Sequence, residues 1–142
     1  MPAAEARAAL EAVRGALVAR DADARTWWQS RRPAKATRAP RAYLVPAFDE
    51  YLVAYRRRDD VLDPADVANV NDGGGILNPV VVLDGIVVGA WKRTLARTAV
   101  SVNVRMFRPI APADESAIKR AAERYARFVG RALDLDVRLR PS

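Results

Sequence analysis

Asp84-Gly85 stands between two apolar runs, Pro79–Leu83 and Ile86–Trp91, and nothing else in the 142-residue chain restricts the fold so tightly. A two-residue hairpin turn needs positive φ at its central positions, and Asp-Gly tolerates that. The two runs therefore pair antiparallel. Ala99–Val104 is a third strand that extends the same sheet as a meander, and Ala42-Tyr43-Leu44-Val45 opens the region as its first strand. Phe48–Tyr55 is of ambiguous period. Asp63-Pro64 fits an N-cap with proline at the first helical position, which predicts a short helix over 64–70.

Residues 113–133 read as a long helix with Ile118, Ala122, Tyr125, Val129 and Ala132 on its buried face, widened by Ala121, Phe128 and Leu133. A last short strand, Asp136–Arg140, can return to the sheet. Near the start, Ala6, Leu10, Val13 and Leu17 recur at spacings of three and four, the apolar stripe of a helix over residues 3–17. Leu17–Arg20 and Arg25–Gln29 then flank the polar turn Asp21-Ala22-Asp23-Ala24 as a hairpin. A helix followed at once by a hairpin is the closing half of a winged helix, recognition helix first and wing second. Trp27 and Trp28 must point to opposite faces of their strand. One packs on the helix, and the other is exposed or covered by the domain that follows.

Residues 30–41 hold two prolines, five basic side chains and no acid, the composition of a linker. The expected fold class is therefore α+β. Residues 1–29 form a partial winged helix (helix plus β-hairpin wing), 30–41 a basic linker, and 42–142 an antiparallel β-module with the 113–133 helix.

The formal net charge is +7, from 24 basic and 17 acidic residues. Of the basic residues 21 are Arg, whose fork pairs bidentately with phosphates and guanines. A nucleic-acid partner follows from this balance, although a high-GC genome writes Ala- and Arg-rich chains with no such partner. Residues 1–40 hold eight basic and four acidic side chains, more net charge than either later portion, so a DNA surface is sought there first. Arg7 and Arg14 flank the helix stripe two turns apart, and Arg20 and Arg25 belong to the wing. Arg31, Arg32 and Lys35 lie in the linker. Lys92, Arg93 and Arg97 follow Trp91 near a hairpin tip, where basic groups beside an aromatic can meet DNA. Each of these cations is equally readable as a solvated surface charge, and Trp91 itself as core.

Cys and His are both absent. Thiolate metal sites, Cys nucleophiles, HExxH zinc chemistry and Ser-His-Asp hydrolysis are closed to this chain alone. Gly73-Gly74-Gly75 lacks the Lys-Ser/Thr and the helix that a phosphate loop requires, so it reads as a turn. Asp49 and Glu50 are adjacent carboxylates in an apolar segment, but a structural role, with one of them paired to an arginine, is favoured over acid–base work. Arg56-Arg57-Arg58 is answered at once by Asp59-Asp60, which favours a solvated loop. No apolar run approaches the ~20 residues that span a bilayer and no signal peptide is visible, so no membrane association and a cytoplasmic location are expected. No metal or cofactor is expected either.

Three runs resemble a known family. Leu44–Arg56 (LVPAFDEYLVAYR), Gly75–Gly85 (GILNPVVVLDG) and Val88–Arg93 (VGAWKR) are similar to the winged-helix DNA-binding proteins of the crosslink-repair DNA glycosylase (AlkZ-like) family, C-terminal portion only. Ala121–Phe128 looks like that family's C-terminal helix, and residues 3–29 like the end of the preceding winged helix. The resemblance implies tandem winged helices and a β-rich domain around a DNA-binding concavity in full-length members. It also implies catalysis of DNA repair by a Gln-x-Gln or Gln-x-Asp motif in their N-terminal half. The only glutamine here is Gln29, so no catalytic residue can be carried over. The expectation is a glycosylase-like DNA-binding protein that contacts the phosphate backbone and has no catalytic residues. The alternatives are a repair glycosylase that is truncated or completed by another subunit, and a protein–protein module. Apolar surface left open on Leu10, Val13 and Trp27 would suit a homodimer or a partner protein.

Overall fold

The structure is a computed structural model and describes residues 2–22, 24–32, 40–54, 57–71 and 77–139. It forms two compact units, Met1–Thr37 and Arg38–Ser142. Most of the basic segment between them, Lys35 included, lies outside the described residues.

The first unit is a helix and a hairpin. Helix α1 runs over Ala3–Val13 and tightens into a 3₁₀ turn at Arg14–Ala16, so it ends one turn earlier than the apolar stripe suggests. Strands β1 (Leu17–Ala22) and β2 (Arg25–Ser30) pair antiparallel from Leu17 opposite Ser30 to Ala22 opposite Arg25. Ala24 in the turn takes a positive φ of 58°. No residue of α1 is buried, and Val13 is 51% exposed. The two tryptophans divide as alternation requires: Trp28 is half-buried, Trp27 47% exposed.

The second unit is built on a five-stranded sheet in the order β3-β4-β5-β6-β7: Ala42–Val45, Val80–Leu83, Ile86–Leu95, Ala99–Met106 and Ala132–Leu139. The Asp84-Gly85 turn forms as expected, with φ of 47° and 86°. The first four strands are antiparallel. The expectation of a wholly antiparallel module is corrected at β7, which pairs parallel with β6, Ala99 opposite Ala132 through Met106 opposite Leu139. Helix α4 (Pro112–Val129) makes this possible, since a parallel return needs a long crossover. The helix stops short of the expected 133 because Gly130 takes a left-handed φ of 66° and its N–H satisfies the carbonyls of Ala126 and Arg127. Residues 132 and 133 therefore belong to β7.

One face of the sheet packs against α4, where Ile118, Ala121, Ala122 and Ala126 meet Val81, Trp91, Val100, Val102, Val104 and Met106. Trp91 donates its indole N–H to the Val45 carbonyl at 2.9 Å and meets Tyr125 edge-on, centroids 5.3 Å apart. Phe128 was expected on this buried face but is 86% exposed. Seven residues are about two turns, so Phe128 shares the angular position of buried Ala121. The last turn still packs through Ala126 and Val129, so only the Phe128 flank of it is left open.

Among the described residues the other face is covered only in part. Short helices α2 (Glu50–Val53) and α3 (Val67–Val70), with the 3₁₀ turn Pro64–Asp66 ahead of α3, bring Leu52, Leu62, Val70 and Leu77 onto Val80, Val82 and Val87. Asp49 caps α2 by accepting from Tyr51 N at 2.9 Å, and Asp63 caps the 3₁₀ turn through Ala65 N at 3.0 Å. A bulge at Val88, where Val81 pairs with Gly89 and Val82 with Val87, shifts the alternation along β5, so that Val88 and Trp91, three residues apart, enter the same core.

Candidate nucleic-acid interface

Alternation along β1 and β2 sorts the first unit's cations. Val18, Arg20, Arg25, Trp27 and Gln29 share one face of the hairpin, because Arg20 lies opposite Trp27 and Val18 opposite Gln29. The Arg25 guanidinium sits 5.9 Å from the Trp27 ring centroid. This face is thus an exposed indole between two arginines. The other face carries Leu17, Ala19 and Trp28, and Arg14 lies 5.2 Å over the Trp28 ring while pairing with Glu11 at 3.1 Å. Arg14 therefore stands in the 3₁₀ turn with its charge already answered, rather than beside Arg7 along one helix flank. Arg31 is similarly occupied, its Nε donating to the Gly15 carbonyl at 3.0 Å. Among the described residues, the side chains of Arg7, Arg20 and Arg32 have no partner. All three are exposed.

The hairpin cations of the second unit are not brought together. Lys92 and Arg93 are consecutive on β5 and point to opposite faces. Arg93 lies on the α4 side, 5.7 Å over the Tyr125 ring. Lys92 lies on the uncovered side, level with Asn103 of β6 and Asp136 of β7. Arg97 is in the β5–β6 turn, whose Ala96 and Arg97 carbonyls are held by the Arg131 guanidinium. Lys35 lies outside the described residues.

What the sequence reading missed on the uncovered side is Arg105 and Arg138, which stand directly opposite each other across β6 and β7. The alternation Val100, Val102, Val104, Met106 marks Arg105 as outward-facing, but Arg138 joins it only through a parallel pairing that no local pattern announces. Asp49 takes the structural role expected of it, as a helix cap rather than as an arginine's partner. Arg57 pairs instead with Asp59 at 2.6 Å, which raises its pKa above the usual arginine value through that hydrogen bond and the Asp59 charge. The loop reading of that basic run is consistent with this. Trp91 is core.

A family model described as DNA glycosylase AlkZ-like matches residues 1–128. The chain belongs to the AlkZ-like DNA glycosylase family. Among solved structures, Streptomyces sahachiroi DNA glycosylase AlkZ superimposes with a TM-score of 0.66 at 24% identity. The match covers 99% of this chain and 38% of that one, so this AlkZ-like chain spans well under half of the solved relative. At that identity the superposition shows the shared fold. No curated protein sequence matches the chain. Among the described residues no helix is long and apolar enough to cross a membrane, and no group of three or more metal-ligating side chains is present.

Proposed function

We propose that this AlkZ-like protein binds DNA through its phosphate backbone and does not itself cleave a glycosidic bond. The observation that carries the reading is the hairpin face on which Arg20 and Arg25 flank exposed Trp27, in a unit where Arg7, Arg20 and Arg32 have no side-chain partner among the described residues. Arginine forks position a duplex by contacting phosphates, and a tryptophan between them offers a stacking surface where a base is unpaired. The hairpin would then act as a wing and α1 as the accompanying helix. Arg14, Arg25 and Arg31 would reach phosphates from side chains already oriented by Glu11, Trp27 and the Gly15 carbonyl. Lys92, Arg97 and linker residue Lys35 would add charge, and Arg93 only by leaving Tyr125.

The test is binding of a labelled duplex by the wild type and by a variant with Arg7, Arg20 and Arg32 all changed to Gln. These exposed positions make no contact needed for folding. Each lost phosphate contact weakens binding without changing sequence preference, so the variant should bind every duplex at least about tenfold more weakly, at roughly 0.5–1 kcal/mol per contact. Equal affinity would refute the assignment.

The 38% coverage of the solved relative favours one alternative, a glycosylase activity completed by chain or subunit beyond these residues. Incubation of the protein with alkylated DNA decides it: abasic sites appearing with this chain alone would overturn the non-catalytic reading. A second copy of the chain could also cover Leu10, Val13 and Trp27, in which case sedimentation gives a dimer rather than a monomer.

A further inference from the structure

The uncovered half of the sheet holds a second site. Beside the part of the sheet that Leu52, Leu62, Val70 and Leu77 cover, β5, β6 and β7 frame a cavity of about 500 Å³ whose polar lining is Asn78, Lys92, Asn103, Arg105, Asp136 and Arg138. Its depth comes from a small residue: Ala90 is the strand neighbour of Arg105, so a hollow lies between long basic side chains. Among the described residues three cations face it against a single carboxylate, and that carboxylate is taken, since Arg138 Nε bonds Asp136 Oδ2 at 2.7 Å. Lys92 and Arg105 have no partner among the described residues. Like charges gathered around one hollow repel in the empty protein and cost stability. They become favourable when an anion sits between them. The volume lies within the range of about 300–1,000 Å³ typical of small-molecule sites, which exceeds what a bare inorganic anion fills.

We propose that this cavity binds a phosphate monoester of nucleotide size, its phosphate held by Lys92, Arg105 and Arg138 and its attached group contacted by the Asn78 and Asn103 amides. Arginine and lysine together give the planar fork and the compact charge that terminal phosphates accept. Asp136 acts as the resident stand-in. It holds the Arg138 guanidinium while the site is empty and competes with the ligand for it. The same chemistry has two sources, a free nucleoside monophosphate and the phosphorylated end of a DNA strand. Neither requires the hairpin of the first unit, so this inference and the duplex-binding reading can fail separately.

Calorimetric titration of the full chain with deoxyadenosine monophosphate, with no DNA present, tests it, alongside deoxyadenosine, inorganic phosphate and an oligonucleotide with and without a 5′ phosphate. In at least one pair, monophosphate against nucleoside or 5′-phosphorylated against unphosphorylated oligonucleotide, the phosphorylated ligand should bind at least tenfold more tightly. Arg105→Gln should reduce that affinity roughly tenfold, as expected for one charge-assisted hydrogen bond. Asp136→Asn should raise it severalfold by freeing Arg138, a gain that a damaged fold cannot produce. Binding of the phosphorylated oligonucleotide alone assigns the site to strand ends, and binding of the monophosphate assigns it to free nucleotides. Either supports the proposal. No preference for the phosphorylated ligand, or an Asp136→Asn affinity equal to or below wild type, overturns it.

Discussion

Gly89 occupies the tightest backbone approach in the sheet. A Cβ there would lie 2.7 Å from the Arg105 carbonyl oxygen and 3.3 Å from Met106 Cα, backbone atoms that cannot swing aside. Gly89→Ala should therefore destabilise the protein by about 2 kcal/mol, the middle of the overpacking range, read as a lower urea midpoint with unchanged slope. Tyr51 offers a second test at the same scale. Its hydroxyl donates to the Gly85 carbonyl at 2.5 Å, and burial raises its pKa above the ordinary 10.0. An acid whose folded pKa is raised binds its proton more firmly in the native state, so its contribution is complete below the unfolded value. Stability should fall as pH climbs from about 10 through that raised value. Tyr51→Phe should lose this alkaline slope, and a slope unchanged in the variant would place its cause elsewhere.

At the scale of elements, α4 owes its end to one residue. Gly130 closes the helix at φ 66°, a conformation that costs an L-residue about 1–2 kcal/mol, so Gly130→Ala should lower thermal stability by about 1 kcal/mol while the helix content seen by circular dichroism stays unchanged. This stop also shows where sequence patterns gave out. The β4–β5 turn was legible because Asp-Gly fixes its own geometry, and Asp63-Pro64 because capping is local. The apolar periodicity of the last helix, by contrast, runs on through Ala132 and Leu133, which serve equally well as strand residues. Local signals could not decide between them. The strand that these residues begin pairs in parallel across a helix of 18 residues, a contact that only the folded chain reveals. The same long-range pairing sets Arg138 beside Arg105, which is why the anion cavity was invisible in the sequence, whereas the hairpin cations could be named individually. Sorting those cations by face required registers, and Lys92 and Arg93 separate for that reason alone.

For the molecule as a whole, a family of DNA glycosylases supplies the frame, and the chain's own charges supply the working claim. Excess positive charge near the N-terminus resolves into Arg7, Arg20 and Arg32, exposed and without a partner among the described residues, in the unit whose hairpin bears exposed Trp27. Glutamine at 29 shares the Trp27 face but is alone in the sequence, so no paired-glutamine chemistry is available to it within this chain. The most direct measurement of the central claim is the dependence of duplex affinity on salt. Each phosphate neutralised releases condensed counterions and adds about 0.9 to the negative slope of log K against log salt concentration. Those three arginines predict a slope of about −3 or steeper, falling by about 1 in Arg20→Gln. A flat dependence, or a slope that Arg20→Gln leaves untouched, would contradict it.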